Sequence, residues 1–394
     1  MSAQVDCVII GAGAAGLYCA MHAGRRGRRV LVIEHNAEPG AKILISGGGR
    51  CNFTNVSAGD PARFISANPH FARSALARHK PADFIALIEK HGIAYYEKTL
   101  GQLFCDGARS SQKVVKLLMD ECAAVGVEVR TNCRVTSLSR GERFELMTSQ
   151  GAISAETCVI ATGALSIPKL GATGFAYDIA RQFNIPIVAT RPGLVPLTFR
   201  PADREWMQHL SGVAAEVAVS CGKTSFREAA LFTHRGLSGP AILQISSYLK
   251  PGAYLNIDWL PDQAADFLVA AKRERPRALP KTILAQHLPD RLAATLAAQH
   301  PPRELGDWKD DALISFAQRT VKQALLRPAG DEGYAKAEVS VGGVDTNALS
   351  QQTMETRVVP GLFFVGEAVD VTGWLGGYNF QWAWSSGWAA GQAC

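Results

Sequence analysis

Five glycine-centred stretches hold most of the residues of this chain best suited to chemistry on a ligand. Gly11-Ala12-Gly13-Ala14-Ala15-Gly16 has the spacing of a phosphate-binding turn. In such a turn Gly11 makes the bend, Gly13 lets a pyrophosphate approach the backbone, and Gly16 lets a helix pack close to its strand. Glu34 follows about 20 residues later, where a carboxylate accepts the hydrogen bonds of an adenosine ribose diol. Lys42 and Ser46-Gly47-Gly48-Gly49-Arg50-Cys51-Asn52 combine flexible backbone with cations and donors, a composition suited to a polyanion beside a planar ring. Three further segments share this character: Ala161-Thr162-Gly163-Ala164, Gly366-Glu367, and Gly373 to Asn379 with Gly376, Gly377, Tyr378 and Asn379. The fingerprint alone suits NAD or FAD, and the later segments select FAD.

Other constellations are weaker. Cys51 beside Arg50 admits a cation-lowered thiol pKa, but with no second cysteine partner packing against the flavin is favoured over redox chemistry. His234 is a candidate proton donor in a Gly-rich loop. Gly236-Leu237-Ser238-Gly239 lacks the last glycine of a nucleophile elbow, and Ser238 is expected to cap a helix. His70, His79 and His91 are spaced too widely for helical metal ligands and are expected to be ordinary surface or interface residues. No metal site is expected. The nine cysteines include no C-x-x-C pair, which excludes a thioredoxin-type motif and a cysteine-rich zinc site.

These residues must be positioned by a strand, turn and helix. Val5 to Ile10 is a short β-branched run suited to a buried parallel strand, Leu17 to Gly24 is helix-like, and Val30 to Ile33 is a second strand. Arg25, Arg26, Arg28 and Arg29 complement the helix C-terminus rather than marking a nucleic-acid patch. Later strands are expected at Val127–Arg130, Thr157–Ile160 and 361–365. At 394 residues the chain has length for two or three domains. An apolar content of 47% with 19% charged residues excludes disorder and coiled coil. A net charge of +6 permits an anionic partner without demanding one. The uncharged run Val8 to Gly24 is glycine-punctuated and near the lower limit of about 17 residues for a span, so a cytoplasmic protein without a membrane segment is expected.

The strings GAGAAG at 11–16, AKILISGGGRCNFTN at 41–55, LFTHRGLSGPAIL at 231–243 and GLFFVGEAVDVTGWLGGYNFQWAWSSG at 361–387 resemble the BaiN/RdsA family of NAD(P)/FAD-dependent oxidoreductases. The resemblance implies an α/β fold: a Rossmann-type FAD-binding domain from 1–190 and 345–394, a β-barrel-like insertion from 191–260 and 330–344, and a small helical domain from 261–329. It implies that Gly11, Gly13, Ala14, Ala15 and Glu34 hold the ADP half of FAD. Lys42, Gly48, Arg50, Cys51 and Asn52 would follow the pyrophosphate, ribityl and ring, with Val135 giving a backbone contact to adenine. Ala161, Thr162, Gly163, Gly366 and Glu367 complete the cradle, and Gly377, Tyr378 and Asn379 face the flavin edge. Cys51, His234 and Tyr378 are the weak catalytic candidates.

No second ribose-reading fingerprint follows, so NADH or NADPH is expected as a transient reductant in the cleft between domains. The leading expectation is hydride transfer through FAD to an unsaturated small-molecule or RNA acceptor. The family covers bile-acid-like substrates and a uridine of large-subunit ribosomal RNA, and the basic stretches Lys272 to Arg277 and Lys113 to Lys116 lean slightly toward RNA. A flavin-bound protein without turnover is a further alternative. The oligomeric state stays open.

Overall fold

The computed structural model describes residues 3–394; the first two residues of the expected FAD domain lie outside them. The chain divides into two compact units, residues 1–191 with 339–394, and residues 192–338.

The first unit is built on a mostly parallel sheet. Its core order is Glu128–Arg130, Val30–Ile33, Ala3–Ile10 and Gly151–Ile160. Parallel strands buried on both faces need apolar runs without alternation, and the Ile10 and Val30 ends of this sheet are indeed buried throughout. Gly151–Ile160 is longer than the expected strand and serves two neighbours on one edge. Its first half pairs antiparallel with Phe144–Thr148, and its last residues pair in parallel with Leu362–Phe364. The C-terminal part of the chain thus enters the same sheet as the N-terminal part.

Helix Ala14–Arg25 follows the first strand, and helix Tyr378–Gly391 packs directly on it. A Cβ on Gly387 would lie 2.5 Å from the Ala15 carbonyl oxygen, and one on Gly391 would lie 2.7 Å from that of Cys19. Backbone contact this close admits only glycine on the terminal helix. The four arginines after the first helix are tied down one by one. Arg25 pairs with Glu121, Arg26 donates to the Gly391 and Cys394 carbonyls, Arg28 pairs with Glu156, and Arg29 pairs with Asp6.

The second unit holds a seven-stranded antiparallel sheet ordered Ala324–Leu326, Leu255–Asp258, Ala214–Cys221, Thr224–Phe232, Gly236–Ser238, Leu197–Thr198 and Gly330–Asp331. Closure of this sheet into the expected barrel-like insertion is a proposal. Helices Phe267–Glu274, Pro280–Leu284, Asp290–Ala297 and Asp310–Phe316 belong to the same compact unit as this sheet. Their expected separation as a domain of their own is a proposal.

Candidate functional site

The glycine fingerprint forms the tight turn its spacing implies. Gly11 has φ +110°, and a Cβ there would lie 2.5 Å from the Ala161 carbonyl oxygen. The Ala161 amide in turn donates to the Ile10 carbonyl at 2.8 Å, which holds the Ala161–Gly163 loop beside the turn. Gly16 is equally closed, since its Cβ would lie 1.9 Å from Gly11 O. Gly13 differs. It caps the helix, and a Cβ on it would meet no atom within 4 Å. No side chain caps this helix, and its first bond runs from Leu17 N to Gly13 O. The amides of Ala14, Ala15 and Gly16 therefore lack helical partners, the arrangement that binds anions at helix N-termini.

Glu34 closes this turn. Its carboxylate accepts from Ala12 N at 2.9 Å and from Asn36 N at 2.8 Å, leaving lone pairs for a diol. The Cys133 amide donates to Glu34 O at 2.9 Å and the Asn132 amide to Asn36 O, which brings the backbone just before Val135 against the end of this strand.

The segment from Ala41 starts as a helix and then kinks at Ser46, with Gly47, Gly48 and Gly49 all left-handed at φ +56°, +66° and +84°. Gly48 and Gly163, like Gly13, face open space. The Thr162 hydroxyl is buried without a partner. Arg50 is exposed and donates to the Tyr96 hydroxyl at 3.1 Å, and Asn52 begins the strand Asn52–Asn55.

Lys42 and Glu367, expected separately along the cofactor, form one ion pair. Lys42 Nζ also donates to Ser166 Oγ at 2.6 Å, and Ser166 Oγ donates to Glu367 Oε1 at 2.6 Å. The Ser340 amide donates to the same Glu367 oxygen at 2.9 Å. Ser166 and Ser340 are functional-site residues that sequence reasoning missed. Gly366 is clamped between Ser386 Oγ, which accepts from its amide at 3.0 Å, and Trp382 Nε1, which donates to its carbonyl at 2.9 Å.

At the start of the terminal helix, Gly377 has φ +97°, and its Cβ would lie 2.3 Å from the Thr54 carbonyl oxygen. Tyr378 is buried, and its hydroxyl accepts from Arg63 Nη1 at 2.7 Å. That guanidinium also lies 5.3 Å from the centre of the Trp374 ring. Asn379 spends its amide on the loop before it, accepting from Gly373 N at 2.8 Å and donating to Gly373 O at 3.0 Å.

One alternative is excluded and two expectations require correction. Cys51 is wholly buried, and burial pushes its thiol up instead of the neighbouring cation pulling it down. Its side chain is set for packing, not for thiolate chemistry. His79 is not a surface residue: it accepts or donates across 2.8 Å to the Tyr18 hydroxyl and stacks on Trp388. Ser238 ends a strand, and the following helix is capped by Gly239 at φ +89°. His234 lies exposed in the second unit, while Cys51 and Tyr378 belong to the first. Among the described residues no cluster of three metal-ligating side chains occurs, and no helix is long and apolar enough to cross a membrane.

The open Gly13, the uncapped amides, the unpartnered Thr162 hydroxyl and the Glu34 carboxylate together fit the ADP half of FAD. Comparison with known proteins agrees with this geometry. A family model described as HI0933-like protein Rossmann domain matches residues 5–393. A ribosomal RNA dihydrouridine synthase of Escherichia coli strain K12 is 51% identical over 402 residues, covering 99% of this chain and 98% of its own. A 3-dehydro-bile acid delta(4,6)-reductase of Clostridium scindens is 30% identical over 411 residues, covering 98% of each. Among solved structures, a 3-ketosteroid-delta4-(5alpha)-dehydrogenase from Rhodococcus jostii RHA1 superimposes with a TM-score of 0.50 at 14% identity, over 99% of this chain and 97% of that one, a likeness of fold. The resemblance read from the sequence is borne out.

Proposed function

The chain belongs to the HI0933-like family, and from that premise we propose that it is an FAD-dependent oxidoreductase that reduces a uridine of ribosomal RNA to dihydrouridine. The observation that carries this reading is the 51% identity, over nearly the whole length of both chains, to a protein named for that reaction. The identity to the bile-acid reductase is 30%, so of the small-molecule and RNA acceptors left open by the sequence the RNA is favoured. NADH or NADPH would supply the two electrons, and a substrate in ribosomes favours the cytoplasm.

FAD, once bound and reduced by the nicotinamide nucleotide, would supply the hydride for one carbon of the uracil double bond. The remaining work falls to the protein. The amides of Ala14 to Gly16 would meet the pyrophosphate, Glu34 the ribose, and the loop at Gly47–Gly49 would lie along the rest. The Lys42–Glu367–Ser166 network keeps two opposite charges paired at the site, so neither is left uncompensated. Dihydrouridine formation also needs a proton at the second carbon. The Tyr378 hydroxyl, which Arg63 Nη1 holds in place, is the candidate donor for that step.

Exposed Arg273, Arg275 and Arg277 are candidates for RNA backbone contacts. The deciding experiment maps dihydrouridine in ribosomal RNA from a strain lacking the gene. Loss of a single site, restored by the wild-type gene, supports the proposal. An unchanged map, with salt-insensitive reduction of a small acceptor by the purified protein, returns the reading to a small-molecule reductase. Anaerobic mixing with NADH and NADPH tests turnover itself, since a flavin that dithionite bleaches but neither nucleotide does would mark a binding protein without turnover.

A further inference from the structure

The second unit contains a cavity of about 120 Å³ lined in part by Trp206, Trp259, Gln299, Arg319 and Thr320. It is several times the roughly 30 Å³ of a bulk water. It is also well below the about 300 Å³ at which pockets for drug-sized ligands begin, so its natural content is one ring system.

The lining chemistry narrows that content. Trp259 is wholly buried and stacked on Phe232, with ring centres 5.5 Å apart at 14°. Its backbone amide donates to Val321 O at 2.8 Å, so the indole is fixed at both ends. Yet its Nε1–H finds no acceptor among the described residues. That N–H and the ring that carries it are closed to solvent, so Trp259 backs the cavity wall without meeting its content. Trp206 meets Phe232 edge-on at 6.0 Å and is only half-buried, so part of its ring stays accessible. Gln299 accepts from Thr320 Oγ1 at 3.4 Å, which leaves its amide N–H groups to donate. Arg319 is exposed and forms no ion pair among the described residues.

Arg319 and Thr320 sit on a π-helical turn, Ala317–Lys322, and such turns are rare and concentrate at functional sites. The half-buried Trp206 ring, a side-chain amide and an unpaired arginine at the rim together match a flat heterocycle edged with acceptors and joined to an anion.

We propose that this cavity holds one unstacked nucleobase of the RNA substrate, with Arg319 on the adjoining phosphate. The inference rests on the RNA reading above and assigns the second unit a recognition role. Single-stranded RNA is commonly read in this way, by stacking on aromatic rings and by hydrogen bonds to base edges.

The test uses the FAD-loaded protein and three dye-labelled ten-nucleotide chains: oligouridylate, oligoadenylate and an abasic ribose-phosphate chain of equal length. Fluorescence anisotropy should give at least one base-bearing chain about tenfold tighter than the abasic chain. Trp206→Ala and Gln299→Ala should each pull that ratio toward one, and Trp206→Phe should largely restore it. Arg319→Ala should weaken all three chains alike, and the flavin spectrum should be unchanged in every variant. A wild-type ratio of one overturns the proposal, as does a ratio that survives both Trp206→Ala and Gln299→Ala. Since Gln299 is exposed, its variant keeps the test valid if Trp206→Ala fails to fold. Dihydrouridine mapping decides the underlying reaction separately: a site lost on deletion with no base-dependent binding removes the pocket and leaves the reaction standing.

Discussion

At the fingerprint turn, Gly13 faces open space, whereas every glycine at the start of the terminal helix is pressed against other protein atoms. A Cβ on Gly373 would lie 2.6 Å from that of Tyr378, one on Gly376 would lie 2.7 Å from the Gln102 amide, and one on Gly377 would overlap Thr54. The same residue type thus serves two ends. At Gly13 the missing side chain leaves room for a ligand, and at Gly377 it lets two backbone segments close on each other. Substitution should therefore separate cofactor binding from folding.

The largest effect is expected for Gly377→Ala. The left-handed backbone and the Thr54 overlap should together cost about 3 kcal/mol, lowering the melting temperature by about 6–12 °C with or without FAD. Differential scanning calorimetry of both forms checks this, and an unchanged melt would erase the distinction drawn above. Gly13→Val should do the opposite. FAD affinity should fall by at least about a hundredfold while the cofactor-free protein melts nearly as before, as read by flavin fluorescence titration and the same calorimetry. Glu34→Gln should weaken FAD by only about tenfold, because the amide keeps one acceptor and loses the charge.

The smallest effect concerns the other side of the nucleotide helix, where burial holds His22 down at about 3 and His79 down at about 4. Both are neutral in the folded protein near neutral pH, and an unfolded histidine takes up its proton near pH 6.5. The unfolded state therefore binds more protons as the pH drops below 6.5, so stability falls between pH 6.5 and about 4 and is unaffected by these groups above 6.5. His79→Asn should remove about 1 kcal/mol of the pH dependence of stability between pH 6.5 and 5.5, read as a shallower slope of melting temperature against pH. A slope identical to wild type would show that His79 already protonates in the folded state.

The first strand, turn and helix were legible because every signal there is local: the β-branched run, the glycine spacing and Glu34 lie within one stretch of chain. Contacts between distant segments were not. Ser166 reaches Glu367 across 201 residues, and no local pattern marks a lone serine as part of an ion-pair network. His79 looked like a surface residue because Tyr18 and Trp388, the rings that enclose it, lie far off in sequence. Ser238 failed as a cap because the chain turns at Gly239 with its backbone pressed to strand Thr224–Phe232, where a Cβ would lie 2.7 Å from Ala229 O. The thiolate alternative for Cys51 fails, and packing holds, because Arg50 is exposed while Cys51 is buried.

Leu362–Phe364 completes the sheet that Ala3–Ile10 begins, and the terminal helix lies on the helix that follows Gly13. On a translating ribosome adding about 5–20 residues per second, the stretch between Gly13 and Gly366 takes roughly 20–70 s to emerge. Through that interval the nascent chain carries half a cradle, with the apolar face of its first helix uncovered. If the proposed site is right, cofactor capture would be a late event in the life of each molecule, completed only after the chain passes Gly366.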